Sequence, residues 1–276
     1  MNIDYLSIPS QMSLKEDDVL LIAGNVTKLA LHEKKHKRSF NIQAFINGFK
    51  EQLPNGTLLF HAYTDNIISG DTFHYRKSKP NTGSLSVAAW KDREFVRTYD
   101  PFHSFMVFGK NAESLQKANY ISTFGPGSVF EWLHKNNAKM LFIDVSLNDS
   151  FTFVHYCEEK TTIPYRKHIK HRIRIIDEND NEKIEEKLFY TRKCGYINYL
   201  YELDNVLVDK NITKCYSFNN ISFKVMDLSE AYEIIKDNIL NDHASLLHRF
   251  SYKIFLKEIL RKTYRFFNPR KPIVVN

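Results

Sequence analysis

Apolar residues along the first 160 positions fall into two alternating rhythms. Short unbroken runs, "VLLIA" (Val19 to Ala23), "TLLFHAY" from Thr57, "SFMVFG" from Ser104 and "KMLFIDV" from Lys139, have the length and composition of buried strands. Between them the apolar positions recur every three to four residues. "SFNIQAFINGFKEQLPNG" predicts a helix with Ser39 as its cap, Phe45, Phe49 and Leu53 on one face, and Pro54-Asn55-Gly56 as its stop. "NAESLQKA" and "FGPGSVFEWLHKNN" predict two more helices, and "NDSFTFVHYCEE" a fourth. Strand alternating with helix is the pattern of a layered α/β domain. Tyr63 to Ser84 keeps no period and is punctuated by Gly, Asp, Asn, Pro and Ser, so it is expected to be one long loop.

After Pro164 the rhythm changes to paired strands. "HRIRIIDENDNEKIEEKLFY" turns at Asn179-Asp180-Asn181 and "KCYSFNNISFKVM" at Asn219-Asn220, which predicts a hairpin-rich substructure. "LSEAYEIIKDNIL" and a basic helix from about Ala244 to Phe267 are expected to close the chain. The division that follows is a core over residues 1–164, a hairpin-rich extension of the same domain over 165–243, and a basic helix and tail over 244–276.

At 276 residues, 43% hydrophobic and 26% charged, the chain has ample length to bury a core. No stretch approaches the roughly 20 apolar residues that span a bilayer, and the start, "MNIDYLSIPS", has neither a basic nor an apolar leader segment, so a cytoplasmic address is expected. Cys157, Cys194 and Cys215 lack C-x-x-C spacing, which argues for reduced thiols. The net charge of +7 is concentrated: His248 to Pro272 carries eight Lys or Arg against one acid, Glu258, and the rest is balanced. A nucleic-acid partner is therefore not expected, since its basic surface would lie on the folded body. The closing helix has two readings, peripheral contact with an anionic membrane or simple packing on the core.

Three segments carry candidate chemistry. In "T-F-V-H-Y-C-E", His155 and Glu158 are three apart, so on a helix they share a face, the geometry of a base and its orienting carboxylate; a core histidine beside a surface glutamate has the same spacing. In "F-G-P-G-S", Gly125 and Gly127 permit close backbone approach and a following helix start offers N–H donors to an anion, while a plain turn capped by Ser128 is the alternative. "Y-R-K-H-I-K-H-R-I-R" puts Arg166 and four further cations in ten residues, suited to phosphates or to a solvated face. His168 and His171 lack metal-ligand spacing, so no metal is expected. Cys157 sits two residues from His155, where helical side chains diverge, and is a poor acyl-carrying nucleophile.

These segments, with "GTLLFHAY", "LSVAAWKDREFVRTYDPFHSF" and "FGKNAESL", resemble in order and spacing the aminoglycoside 3-N-acetyltransferase family over roughly Asp18 to Arg166. The resemblance implies a three-layer α/β/α fold with a central mixed sheet that moves an acyl group from coenzyme A to an amine on a sugar. It makes residues 1–164 the catalytic and acyl-CoA-binding part. The family's T-x-x-H-x-x-E motif maps onto Thr152, His155 and Glu158, with the histidine as general base. Its glycine turn maps onto Phe124, Gly125, Gly127 and Ser128 and implicates that backbone in holding acyl-CoA.

The chain departs from the pattern where antibiotic-modifying members usually carry His-Pro and it has Asp100-Pro101. "D-P-x-x-S-F" together with Pro164-Tyr165-Arg166 resembles members of bacterial surface-polysaccharide pathways such as O-antigen or lipopolysaccharide biosynthesis. The acceptor expected is a nucleotide-linked amino sugar, with Asp100, His103 and Arg166 as candidate substrate contacts; aminoglycoside acetylation is the runner-up. A non-catalytic protein binding a polyanion or membrane surface is the alternative of another class. A homodimer is the default expectation.

Overall fold

The computed structural model describes residues 3–64 and 66–269. In chain order its elements are β1 (Val19–Gly24), α1 (Thr27–Lys35), α2 (Ile42–Gln52), β2 (Thr57–His61), β3 (Thr72–His74), α3 (Ser84–Lys91), β4 (Val96–Arg97), β5 (Phe105–Gly109) and α4 (Ala112–Gln116). There follow α5 (Val129–Lys135), β6 (Lys139–Ile143), α6 (Leu147–Ser150), α7 (Val154–Thr161), β7 (Arg166–Ile176), β8 (Glu182–Arg192) and β9 (Tyr196–Asn198). The chain closes with α8 (Tyr201–Asp209), β10 (Thr213–Phe218), β11 (Ile221–Asp227), α9 (Leu228–Asn241), β12 (His248–Phe250) and α10 (Tyr252–Phe267).

The expected mixed sheet runs in the order β10-β11-β6-β1-β2-β5-β4, with β1 parallel to both β2 and β6 and the outer strands antiparallel. Its central strands read as continuous apolar runs because both faces are covered. Leu20, Ile22, Leu58, Phe60, Leu141 and Ile143 pack with residues of α1, α2 and α3, while Leu21, Leu59, Met140 and Phe142 pack with residues of α5, α7, α8 and α9. Fully burying one such side chain is worth about 1.5–3 kcal/mol. The hairpin of β10 and β11 adds two strands to this sheet. Its two-residue turn, Asn219 and Asn220 with φ of 54° and 59°, matches the twist of its flanking strands.

Three expectations change. Asn41, not Ser39, caps α2: its side chain accepts from the backbone N–H of Gln43 and Ala44. The segment from Tyr63 to Ser84 contains β3, paired in parallel with β7, and Phe73 and Ile67 pack with Phe102, Ile173 and Ile175 in a small core of their own. The final helix starts at Tyr252 because His248 to Phe250 pairs with β9 as a strand; Arg270 and Lys271 of the basic tail lie outside the described residues.

Arg97 ties the long segment to the sheet. It is 1% exposed, lies over the Phe73 ring at 4.7 Å, and donates to the carbonyls of Ala62 (2.8 Å), Tyr75 and Ser78 and the hydroxyls of Thr64 (3.0 Å) and Ser104 (3.0 Å). Removing it leaves several buried acceptors without a donor. Arg97→Ala is expected to cost about 3 kcal/mol or more in urea unfolding, with new protease cleavage confined to residues 63–84.

Candidate active site

Open α/β sheets form ligand crevices beyond the carboxyl ends of their strands. There β6 ends, and the chain turns through α6 into α7, whose second residue is His155. Helical spacing then does what the sequence predicted: His155 Nδ1 and Glu158 Oε2 are 2.8 Å apart. The opposite side of α7 is committed to the core through Val154 and Cys157, and Thr162 ends the helix in a left-handed conformation (φ 56°). Pro164 follows, and β7 opens at once with Arg166.

Glu158 is the hub. It is 1% exposed, accepts from Tyr165 Oη at 2.7 Å on one oxygen, and forms an ion pair with Arg166, whose Nε lies 2.6 Å from the other. Arg166 Nη2 also lies 3.2 Å from His155 Nε2 and donates to Asn198 Oδ1 at 3.0 Å. A guanidinium only donates. Nε2 therefore carries the lone pair, and Nδ1–H donates to Glu158. Burial and then the Arg166 charge push the His155 imidazole below its ordinary value, and Glu158 only partly restores it. Burial raises Glu158, but Arg166, His155 and Tyr165 together hold it below the usual carboxylate range. Tyr165 is fixed from behind by stacking on His248, ring centroids 3.8 Å apart.

The His155 side chain retains 15% exposure and opens onto a cleft of about 380 Å³. Phe124 meets its ring edge-on at 5.6 Å, and His103, Ile169 and Phe189 add apolar or neutral wall. Burial pushes His103 down to about 4, so it is neutral there. Among the described residues, six cations line this cleft (Arg166, Lys167, Arg192, Arg261, Lys262 and Arg265), against one carboxylate, Glu258. The last four of these residues in sequence lie on α10. Its basic face is thus a wall of the site; sequence reasoning missed this because helical periodicity cannot say which way a face turns.

Other candidates are placed elsewhere. Asp100 is 2% exposed and accepts from the N–H of Phe102 (2.7 Å) and His103 (2.8 Å) and from the Thr123 hydroxyl (2.7 Å). It shapes the turn that presents His103 and does not line the cleft. At the glycine turn three donors are already used: Gly125 N–H donates to Ser122 O, Gly127 N–H to Glu131 Oε2, and Ser128 N–H to Gly125 O. Ser128 caps α5 as expected, accepting from Glu131 N–H. Only the Phe124 ring of this turn lines the cleft. Thr152 instead lines a second cavity of about 230 Å³ with Tyr63 and His61. Cys157 is fully buried, its thiol facing Phe153 O, and burial holds its pKa well above the ordinary value, leaving no thiolate. No group of three or more His, Cys, Asp or Glu among the described residues is arranged to hold a metal ion, and none of their helices is long and apolar enough to cross a membrane.

The fold and site define an α/β/α protein with a buried carboxylate–histidine pair at the strand ends. The sequence model of the family described as aminoglycoside 3-N-acetyltransferase matches residues 33–239, and the chain belongs to that family of N-acyltransferases. Solved structures share the fold. Aminoglycoside acetyltransferase AAC(3)-Xa superposes with a TM-score of 0.70 at 16% identity over 84% of this chain and 91% of its own. AAC-IIIb, solved with CoASH, gives 0.69 at 14% identity over 87% and 95%. AAC-VIa, bound to sisomicin, gives 0.69 at 12% identity over 87% and 97%. No curated protein sequence matches the chain.

The charge pair at the hub makes a stability prediction. Arg166→Leu leaves Glu158 buried without its cation and is expected to cost about 3–5 kcal/mol, most of it recovered in the Glu158→Gln/Arg166→Leu double variant. Because Glu158's folded pKa is lowered, the wild-type advantage is present above the ordinary value of 4.5 and is lost as pH falls through the folded value. Urea unfolding between pH 7 and 3 checks both statements.

Proposed function

We propose that the protein is an acyl-CoA-dependent N-acyltransferase that moves an acetyl or short hydroxyacyl group onto the amine of a nucleotide-linked amino sugar. His155 is the general base and Glu158 its orienting partner. The observation that carries this reading is a neutral imidazole whose Nε2 opens onto a cleft of six cations and one carboxylate. The cleft suits an anionic acceptor; a polycation entering it meets six positive charges and one negative. The donor fits as well: Phe124, Ile169 and Phe189 suit the apolar arm of coenzyme A, and a relative was solved with CoASH.

In the reaction the substrate ammonium loses a first proton through His155 Nε2 to water, and the freed lone pair attacks the thioester carbonyl carbon while the nitrogen's second proton passes to Nε2. Glu158 stabilises the imidazolium through Nδ1–H. The C–S bond then breaks, the amide remains on the sugar nitrogen, and the departing thiolate takes the proton back from Nε2. Arg166 Nη2, the charged donor nearest Nε2, yields that position to the substrate nitrogen and turns to the developing oxyanion. No covalent enzyme intermediate is needed.

Aminoglycoside acetylation is the second reading, favoured by the family match and by the relative bound to sisomicin. One assay separates the two: thiol release from acetyl-CoA and a longer hydroxyacyl-CoA, with nucleotide-linked amino sugars and aminoglycosides as acceptors. Turnover is expected with the nucleotide sugars, and His155→Gln is expected to lower it by about 100-fold or more at a temperature where its circular dichroism matches that of wild type. Turnover confined to aminoglycosides selects the second reading, and unchanged turnover in His155→Gln rejects the base.

A further inference from the structure

The closing helix α10 buries none of its residues, so its apolar and its basic faces are both open. Leu256, Leu260, Tyr264 and Phe267 are 62–73% exposed, while Arg261, Lys262 and Arg265 on the other side line the catalytic cleft. A surface helix ordinarily turns its charges to water and its apolar stripe inward. Lys167, Arg261, Lys262 and Arg265 have no carboxylate within ion-pair distance among the described residues, and Arg192 has only Glu258, at 3.4 Å. Across the cleft floor Arg166 and Arg192 stand directly opposite each other in the β7–β8 ladder, each with one carboxylate beside it, Glu158 and Glu258.

The helix is also built into place. Gly195 N–H donates to Glu258 Oε2 at 2.9 Å, and Gly195 O accepts from Ser251 N–H at 2.8 Å. Gly195 has φ +86°, and a Cβ there would lie 2.5 Å from the Phe250 ring and 2.9 Å from Phe255 Cβ. A glycine at this position lets α10 sit against β9 with its cations over the cleft. Its span, Tyr252–Phe267, lies beyond the stretch matched by the family model, residues 33–239.

We propose that Arg261, Lys262 and Arg265, with Lys167 and Arg192 facing them, form a diphosphate-binding wall for the acceptor, so that α10 selects amino sugars carried on a nucleoside diphosphate. The proposal rests on the acyl-transfer reading for its biological use, but not for its test. Phosphate oxygens replace the missing carboxylates, and a diphosphate ester has enough of them to engage several cations at once. The amine at the far end of the sugar then faces His155. Coenzyme A carries the same chemistry, so the test must separate donor from acceptor.

Calorimetric titration with UDP, inorganic pyrophosphate and coenzyme A, on wild type and the Arg261→Ala/Lys262→Ala/Arg265→Ala variant, does so. None of the three side chains is buried, so the variant is expected to keep the wild-type melting curve. The expected result is that UDP and pyrophosphate bind wild type and lose about tenfold or more in the variant, while coenzyme A changes by less than about twofold. A Lys167→Ala variant, altering the opposite wall, is expected to weaken UDP as well. The proposal is overturned if wild type binds neither probe, if the triple variant binds them as wild type does, or if coenzyme A weakens as much as UDP. His155→Gln is expected to bind UDP normally. If it does, and wild type acylates no nucleotide sugar, the diphosphate wall stands and the acyl-transfer reading falls.

Discussion

The site depends on one buried carboxylate. Glu158 has almost no access to water, so it stays ionised only because Arg166, Tyr165 and His155 surround it within hydrogen-bonding distance. A buried charge of this kind is strongly destabilising unless every partner is in place. The same contacts decide the chemistry: the carboxylate claims Nδ1–H of the imidazole, the guanidinium faces Nε2, and the ring is left as a neutral base looking into the cleft. Packing, protonation state and orientation are three consequences of one arrangement.

That arrangement is assembled from parts with separate origins. The parallel strands β1, β2 and β6 bring α7 to the edge of the sheet; the break at Pro164 lets β7 turn Arg166 back onto α7; β12 supplies His248 to hold Tyr165. The small core around Phe73 and the hydrogen bonds of Arg97 fasten the segment between β2 and α3 beside it. The base therefore stands on elements far apart in the chain, and α10, outside the family match, completes the cleft over it.

Much of the central sheet was legible in the sequence because its strands are covered on both faces, and an apolar run that short and unbroken suits a buried strand better than an amphipathic helix. The His155–Glu158 contact was legible because three-residue spacing on a helix is nearly enough to impose it. What escaped was long-range or directional. β3 pairs with a strand about a hundred residues later, and nothing in Thr72–His74 announces its partner. Ser39 and Asn41 are both good caps, and only the path of the chain chooses between them. Asp100 was expected near a substrate, but a carboxylate before proline also suits a turn, and here three donors consume it. The glycine turn was read for its donors, three of which the loop satisfies internally. The basic helix was visible as composition, while the turning of its charges toward the cleft depends on how Gly195 seats it.

The central claim is that the imidazole at position 155 is neutral, protonated on Nδ1, with its lone pair at Nε2. Nitrogen-15 NMR of histidine-labelled protein, with the His155→Gln variant to assign the resonance, tests it most directly. The account predicts an Nδ1–H tautomer at pH 7 that titrates below the ordinary histidine value of 6.5. An Nε2–H tautomer, or an imidazolium still present at pH 7, would contradict it.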